Sequence, residues 1–121
     1  MKRILVAEDD AAGRELIREL LELEGYDVRM TGDGREALEA LRQPPAPDLV
    51  LLDIQMPELD GYEVMRRMRA MPGLATVPVV AFTAYAMAGD RERALAAGFD
   101  GYITKPIRVA TLREELRKFF S

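Results

Sequence analysis

The chain has 121 residues, of which 49% are hydrophobic and 31% are charged, the balance of a single globular domain whose core is large enough to fold without cross-links. It has neither cysteine nor histidine, which excludes disulfides, thiolate metal sites, histidine-ligated zinc and a catalytic triad that uses histidine. The formal net charge of −4 argues against a nucleic-acid surface, and the lack of a long apolar run or signal-peptide core predicts a cytoplasmic protein with no membrane partner.

Short apolar runs alternate with amphipathic segments along the chain. The runs at 4–7, 26–30, 48–53, 79–82 and 101–104 predict five strands. A segment with helical spacing of apolar residues follows each run, and the fourth of these segments covers roughly residues 88–97. This alternation predicts an α/β fold with a parallel sheet, five helices on its two faces and right-handed crossovers. No repeat or linker divides the sequence, so we expect one domain over residues 1–121.

The first and last helices show clear apolar faces. Asp10 is well placed to cap the first helix, in which Arg14 is predicted to face solvent. The apolar face of this helix is predicted to contain Leu16, Ile17, Leu20 and Leu21. The core face of the last helix is predicted to contain Leu112, Leu116 and Phe119. The fourth helix has only a thin apolar face, made of Ala94, Leu95 and Ala97, so we expect it to be loosely held.

The third strand ends in a carboxylate. Four apolar residues, 49–52, run directly into Asp53, a pattern typical of a strand buried on both faces. A carboxylate so close to the core is costly unless its charge is needed there. The other strand ends also carry polar residues, which are Glu8, Asp9, Thr83 and Lys105. Because the carboxyl ends of parallel strands share one edge of a sheet, these groups are expected to converge.

The converging residue types favour a hard metal ion and phosphate chemistry. Carboxylates that share a cleft repel one another, and a divalent cation relieves that repulsion. All-oxygen ligands select Mg²⁺, Mn²⁺ or Ca²⁺ over zinc, and Mg²⁺ is commonly bound by one or two carboxylates together with phosphate oxygens. Asp53 is then the candidate nucleophile for a phosphoryl group, with Lys105 and Thr83 stabilising the oxygens of that group.

These motifs, in this order and spacing, resemble the receiver domain of a two-component response regulator. The matching stretches are Ile4-Leu5-Val6-Ala7-Glu8-Asp9-Asp10, Leu51-Leu52-Asp53-Ile54-Gln55-Met56-Pro57 with Asp60-Gly61, Ala81-Phe82-Thr83-Ala84, and Lys105-Pro106. The resemblance implies a flavodoxin-like (CheY-like), doubly wound sheet with strand order 2-1-3-4-5. It also implies that Asp53 accepts a phosphoryl group from a histidine kinase or a histidine phosphotransfer protein, so the chain is a signalling module rather than an enzyme.

The resemblance further assigns roles to individual residues. Mg²⁺, or Mn²⁺, is expected at Asp9, Asp53 and the main-chain carbonyl of Gln55, with Glu8 acting mainly through water. Glu8 departs from the family, which more often has aspartate there. Lys105 is expected to pair with the phosphoryl group and to precede a cis peptide bond to Pro106.

Thr83 and Tyr102 are the expected switch of such a domain. On phosphorylation the hydroxyl would move to the phosphoryl group and the ring would swing inward. That change would repack the face made by the fourth helix, fifth strand and fifth helix for a downstream protein partner. In the family, the positions of Gln55 and Tyr85 tune the lifetime of the phosphate.

Two other functions use related chemistry. A phosphatase of the haloacid-dehalogenase type also uses aspartate and Mg²⁺, but it carries an Asp-x-Asp pattern after its first strand, where this chain has Glu8-Asp9-Asp10. A flavodoxin-like carrier needs a phosphate loop rich in Ser, Thr and Gly at the same place. We expect a receiver without an effector domain, similar to stand-alone cell-division receivers and to receivers of hybrid kinases.

Overall fold

A computed structural model describes residues 1–84 and 87–120. Within these residues, five strands alternate with five helices. The strands are β1 (Arg3–Ala7), β2 (Asp27–Thr31), β3 (Leu49–Asp53), β4 (Val79–Thr83) and β5 (Gly101–Thr104). The helices are α1 (Ala11–Leu23), α2 (Gly34–Leu41), α3 (Gly61–Arg69), α4 (Asp90–Ala97) and α5 (Val109–Phe120). The predicted alternation is therefore confirmed.

The strands form one parallel sheet in the order β2-β1-β3-β4-β5. This order confirms the expected topology, and it places β1 beside β3 at the centre. Every residue of β3 and β4 is buried, whereas the edge strand β2 alternates between more and less exposed residues. An unbroken apolar strand is thus buried on both faces, as parallel sheets require.

The two faces of the sheet carry separate apolar cores. One core packs α2, α3 and α4 against one face, and it includes Val64, Met68 and Tyr102. The other packs α1 and α5 against the opposite face, and it includes Ile17 and Leu116. The sheet is therefore covered on both sides, and its strand ends form the accessible edge.

Aspartates begin three of the helices. The side chains of Asp10, Asp33 and Asp60 accept a hydrogen bond from the main-chain N–H three residues further on. Each thereby satisfies one of the N–H groups that lack a partner at a helix start. The predicted capping role of Asp10 is confirmed.

Arg69 ties together the end of the sheet that lies opposite the site. Its guanidinium donates to the carbonyls of Ala75 (3.1 Å) and Val77 (2.6 Å), and to the carbonyl of Gly98 (3.2 Å). It also pairs with the carboxylate of Asp100 at 2.9 Å. The C-terminal end of α4 is consequently held firmly. At the start of α4 the N-cap is Gly89, and the carboxylate of Asp90 accepts a hydrogen bond from the N–H of Met87 at 2.9 Å.

Three helix assignments were wrong, those of Leu16, Leu95 and Ala97, because all three side chains are exposed. Leu16 is 46% exposed, because only Ile17 and Leu21 point directly at the sheet and Leu16 lies at the rim of α1. Leu95 is 38% exposed, and Ala94 alone among the described residues of α4 is buried. In α5, Phe119 is only partly buried and packs at the edge of the core that contains Leu116.

Candidate functional site

The structure brings the polar strand ends together at one edge of the sheet. Asp53 is the last residue of β3 and is 3% exposed, and Glu8, which follows β1, is 1% exposed. Thr83 ends the neighbouring strand β4 and is also buried, while Asp9 is exposed. The predicted convergence follows from the topology, because β1, β3 and β4 are adjacent and parallel.

Three carboxylates make an acidic cluster. Each of Glu8, Asp9 and Asp53 offers an oxygen, and these oxygens lie within 4.8 Å of one another. The cluster therefore contains only hard oxygen donors, and two of its three members are buried. Such a set fits Mg²⁺ or Mn²⁺ and does not fit a thiophilic metal.

Lys105 bridges two members of the cluster. Its ammonium nitrogen Nζ lies 2.6 Å from Glu8 Oε2 and 2.8 Å from Asp53 Oδ2. The same nitrogen lies 4.9 Å from the centre of the Phe82 ring. The peptide bond to Pro106 is cis, as expected. The extra methylene of Glu8, compared with aspartate, is thus used in a direct ion pair with Lys105.

Burial and hydrogen bonding shift the pKa values of Glu8 and Lys105. Burial raises the pKa of Glu8 above its ordinary value, and its contact with Asp53 raises the pKa further, against the opposing effect of Lys105. For Lys105, burial lowers the pKa, but the hydrogen bonds to Asp53 and Glu8 together outweigh burial and leave the pKa raised. Lys105 therefore keeps its positive charge beside Asp53 at neutral pH.

The main chain around Asp53 is held from several sides. Asp53 Oδ1 accepts a hydrogen bond from the N–H of Gln55 (3.0 Å), and Ile54 donates to the carbonyl of Phe82 (3.1 Å). The N–H of Gly61 donates to the carbonyl of Ile54 at 2.9 Å. Gly61 sits so close that a Cβ atom there would lie 2.7 Å from the carbonyl oxygen of Asp53. Any larger residue at this position of the Asp-Gly motif would therefore clash with the main chain of Asp53.

The remaining predicted residues lie around the cluster. Tyr102 is buried in the core on the α4 side, 8% exposed. The side chain of Gln55 is exposed, and its main chain follows Asp53 directly. Tyr85 lies outside the described residues. The assignment of Arg14 to solvent was wrong, because its guanidinium turns back and donates to the carbonyls of Glu8 and Asp9.

Comparison with known proteins agrees with this geometry. The family model for the response regulator receiver domain matches residues 4–117. The chain belongs to the response regulator receiver family. Receiver domains are phosphoacceptor signalling modules, and membership implies a histidine kinase as the class of partner. None of the helices within residues 1–84 and 87–120 is long and apolar enough to cross a bilayer.

Similar receivers include stand-alone regulators. The polar-differentiation response regulator DivK of Brucella anthropi is 40% identical over 118 residues, which cover 98% of this chain and 95% of that protein. The chemotaxis protein CheY4 of Vibrio cholerae superposes with a TM-score of 0.90 at 26% identity, with 98% of both chains covered.

Similar receivers also occur in kinases. The receiver domain of the sensor histidine kinase PA1611 from Pseudomonas aeruginosa is 36% identical and superposes with a TM-score of 0.88, with 98% of this chain and 96% of that chain covered. That structure has a magnesium ion coordinated in its active site cleft. The acidic cluster of the present receiver is therefore like a receiver magnesium site.

Proposed function

We propose that this receiver accepts a phosphoryl group on Asp53 from the phosphohistidine of a histidine kinase or of a histidine phosphotransfer protein. The observation that carries the proposal is the contact between Asp53 and Lys105 inside the acidic cluster. A buried carboxylate paired with an ammonium group is a competent nucleophile for phosphorus. We also propose that residues 1–121 form one receiver domain, since the family match spans nearly all of them.

The transfer is a displacement at phosphorus. A carboxylate oxygen of Asp53 forms the new O–P bond, the P–N bond of the phosphohistidine breaks, and its electron pair stays on the imidazole. Lys105 moves from Asp53 to an oxygen of the phosphoryl group, and the hydroxyl of Thr83 donates to another.

Asp9, Asp53 and the main-chain carbonyl of Gln55 would hold Mg²⁺ or Mn²⁺, with Glu8 acting through water. When bound, the cation would neutralise the oxygens of the phosphoryl group. The donor set of this cluster supports the assignment, because it contains only oxygen. The Glu8–Lys105 ion pair supports an indirect role for Glu8, since its carboxylate already has a cationic partner.

A hollow of about 380 Å³ beside the cluster supports docking of the phosphodonor. Its wall is mostly apolar and includes Leu16, Ile17, Pro106 and Ile107, and Glu8 and Lys105 of the site also line it. A partner helix that carries a phosphohistidine could bury apolar side chains there while the phosphoryl group reaches Asp53. In this proposal, the exposed side chain of Leu16 is part of the apolar surface that contacts the partner helix.

The proposed output uses Thr83 and Tyr102. Tyr102 lines a second hollow, of about 320 Å³, with Met87 and Arg91 near the start of α4. Because Arg69 anchors the C-terminal end of α4, a move of Thr83 towards the phosphoryl group would repack its start, where the carboxylate of Asp90 accepts a hydrogen bond from the N–H of Met87 at 2.9 Å. The face made by α4, β5 and α5 would then bind a downstream protein.

Intact-mass measurement tests the phosphoacceptor. Incubation with acetyl phosphate and Mg²⁺ should add one phosphoryl group to the wild-type protein and none to Asp53→Asn. Asp48→Asn, at the residue that precedes β3 and so at the far end of that strand from Asp53, is the matched control and should still be modified. Modification of Asp53→Asn, or multiple turnover of phosphate esters, would contradict the proposal, and the latter would favour the phosphatase alternative.

Thermal melting tests the metal site separately. Mg²⁺ at tenfold excess over its dissociation constant should stabilise the fold by about 1.4 kcal/mol, because it binds the folded state preferentially. The rise should vanish in Asp9→Ala and persist in Asp27→Ala, where the carboxylate lies at the other end of the sheet. A wild-type melting temperature that is constant across millimolar Mg²⁺ would refute the metal assignment.

A further inference from the structure

Arg14, in the first turns of α1, contacts the main chain of the turn that precedes its own helix. Its guanidinium nitrogen Nη1 donates to the main-chain carbonyls of Glu8 (3.0 Å) and Asp9 (3.2 Å). These carbonyls belong to the two residues that contribute the first strand's carboxylates to the acidic cluster. The side chain thus reaches back over the turn between β1 and α1, and it is only partly exposed.

The side chain of Asp9 has no support of its own within the described residues. It is exposed, and its carboxylate makes neither a hydrogen bond nor an ion pair among residues 1–84 and 87–120. Glu8, by contrast, is buried and is fixed by Lys105 and by the N–H of Asp10 at 3.2 Å. The direction of the Asp9 carboxylate therefore depends on its main chain.

Several contacts hold that main chain, and one of them is the cap of α1, in which Asp10 accepts a hydrogen bond from the N–H of Gly13 at 2.8 Å. Below the turn, the N–H of Glu8 donates to the carbonyl of Thr31 at 3.1 Å. On the side of α1, Nη1 of Arg14 donates to the main-chain carbonyls of both Glu8 and Asp9. The guanidinium has room because residue 32 is glycine: a Cβ atom at Gly32 would lie 3.2 Å from Arg14 Nη1. The guanidinium of Arg14 therefore lies between the β1–α1 turn, to which it donates hydrogen bonds, and Gly32 in the β2–α2 turn.

We infer that Arg14 is a positioning residue of the metal site, which holds the Glu8–Asp9 main chain so that the Asp9 carboxylate faces Asp53. This inference rests on the proposed function, in which the cluster binds Mg²⁺. Arg14 touches neither the metal position nor the phosphoryl group; it acts through the two carbonyls.

Charge and geometry make opposite predictions for this residue. A guanidinium near the cluster repels a cation, so removal of its charge alone should strengthen Mg²⁺ binding. Loss of the hydrogen bonds to the turn should instead weaken binding, because groups that orient metal ligands are commonly worth 10- to 100-fold in affinity. The sign of the change in Mg²⁺ affinity therefore separates the two effects.

The test is a Mg²⁺ titration of the full chain, followed by the rise in melting temperature and, at 25 °C, by calorimetry. Arg14→Met keeps the length of the side chain but removes its donors and charge, and it should raise the Mg²⁺ dissociation constant about tenfold. Arg14→Lys keeps the charge and one donor group, and it should fall between Arg14→Met and the wild type. Arg18→Met is the matched control, because Arg18 is exposed on the same helix and pairs only with Glu15 among the described residues.

The outcomes are distinct. A dissociation constant that falls or stays unchanged in Arg14→Met refutes the role of Arg14 while leaving the metal site in place. A wild-type protein that does not respond to Mg²⁺ refutes the metal site itself and this inference with it. If Arg14→Met does not fold, Arg14→Gln, which lacks the guanidinium and its charge, carries the test, and wild-type affinity in that variant refutes the role of Arg14.

Discussion

Gly61→Ala should disturb both the fold and the position of Asp53. A Cβ atom at residue 61 would lie 2.7 Å from the carbonyl oxygen of Asp53 and 2.9 Å from the Cα atom of Ile54. The shorter contact is about 0.7 Å below an ordinary van der Waals contact of about 3.4 Å. Both neighbours are main-chain atoms of the central strand's end, so the strain cannot be relieved by rotating a side chain.

The expected cost follows from this overlap. Overpacking of a core typically costs about 1–3 kcal/mol, and a domain of this size loses roughly 4 °C of melting temperature per kcal/mol. Gly61→Ala should therefore melt about 4–12 °C below the wild type. Because a displacement near 1 Å at a reacting group can cost on the order of 100-fold in rate, phosphorylation by acetyl phosphate should slow at least roughly tenfold.

A second glycine separates loss of stability from misplacement of Asp53. Gly25 follows the end of α1, has a φ of +88°, and would bring a Cβ atom into contact with nothing within 4 Å. Gly25→Ala should cost about 1–2 kcal/mol through its left-handed backbone and leave the phosphorylation rate unchanged. The reasoning fails if Gly61→Ala melts and reacts like the wild type, or if Gly25→Ala slows the reaction as much.

Three further predictions concern parts of the fold away from the cluster. Leu116→Ala, at a side chain that is 2% exposed, should lower the unfolding free energy in urea by about 2–5 kcal/mol, and a loss within experimental error would contradict its core assignment. Arg69→Met should lower the melting temperature while the rate of Asp53 phosphorylation stays constant. A phosphorylation rate that falls together with the melting temperature would contradict this prediction, because it would show that the opposite end of the sheet is coupled to the site. Hydrogen bonds from Arg66 and Arg67 lower the pKa of Glu63 from 4.5 to about 2. These pairs therefore stabilise the fold above about pH 4.5 and lose their effect as the pH falls towards 2, so Glu63→Gln should flatten that part of an acid titration of stability, and an unchanged slope would contradict it.

The Glu8–Lys105 pair explains how the cluster is tolerated in the folded protein. Two buried carboxylates that share a cleft repel each other, and Lys105 lies between them with short contacts to both. The ammonium group thus takes the place of part of the charge that a divalent cation would supply. In the proposed transfer, Lys105 keeps its contact with Glu8 as it moves towards the phosphoryl group.

Much of the fold could be predicted because local patterns constrain it strongly. An apolar run such as 49–52 is typical of a strand buried on both faces, and alternation of such strands with amphipathic helices favours a covered parallel sheet. Once the sheet is parallel, Glu8, Asp53, Thr83 and Lys105 must reach one edge. The strand order and the roles of these residues came from the family resemblance, and the roles stay predictions.

The sequence by itself determined which residue types meet, since strand ends in a parallel sheet share an edge. Only the tertiary structure decided which atoms touch: that Lys105 reaches a buried Glu8, that Arg14 turns back to hold two carbonyls, and that Leu16 stays at a rim. The physical reason is that periodicity along a strand or helix sets the face on which a side chain lies. The partner of a long side chain depends instead on neighbours that are tens of residues away in the chain, and no local pattern records them.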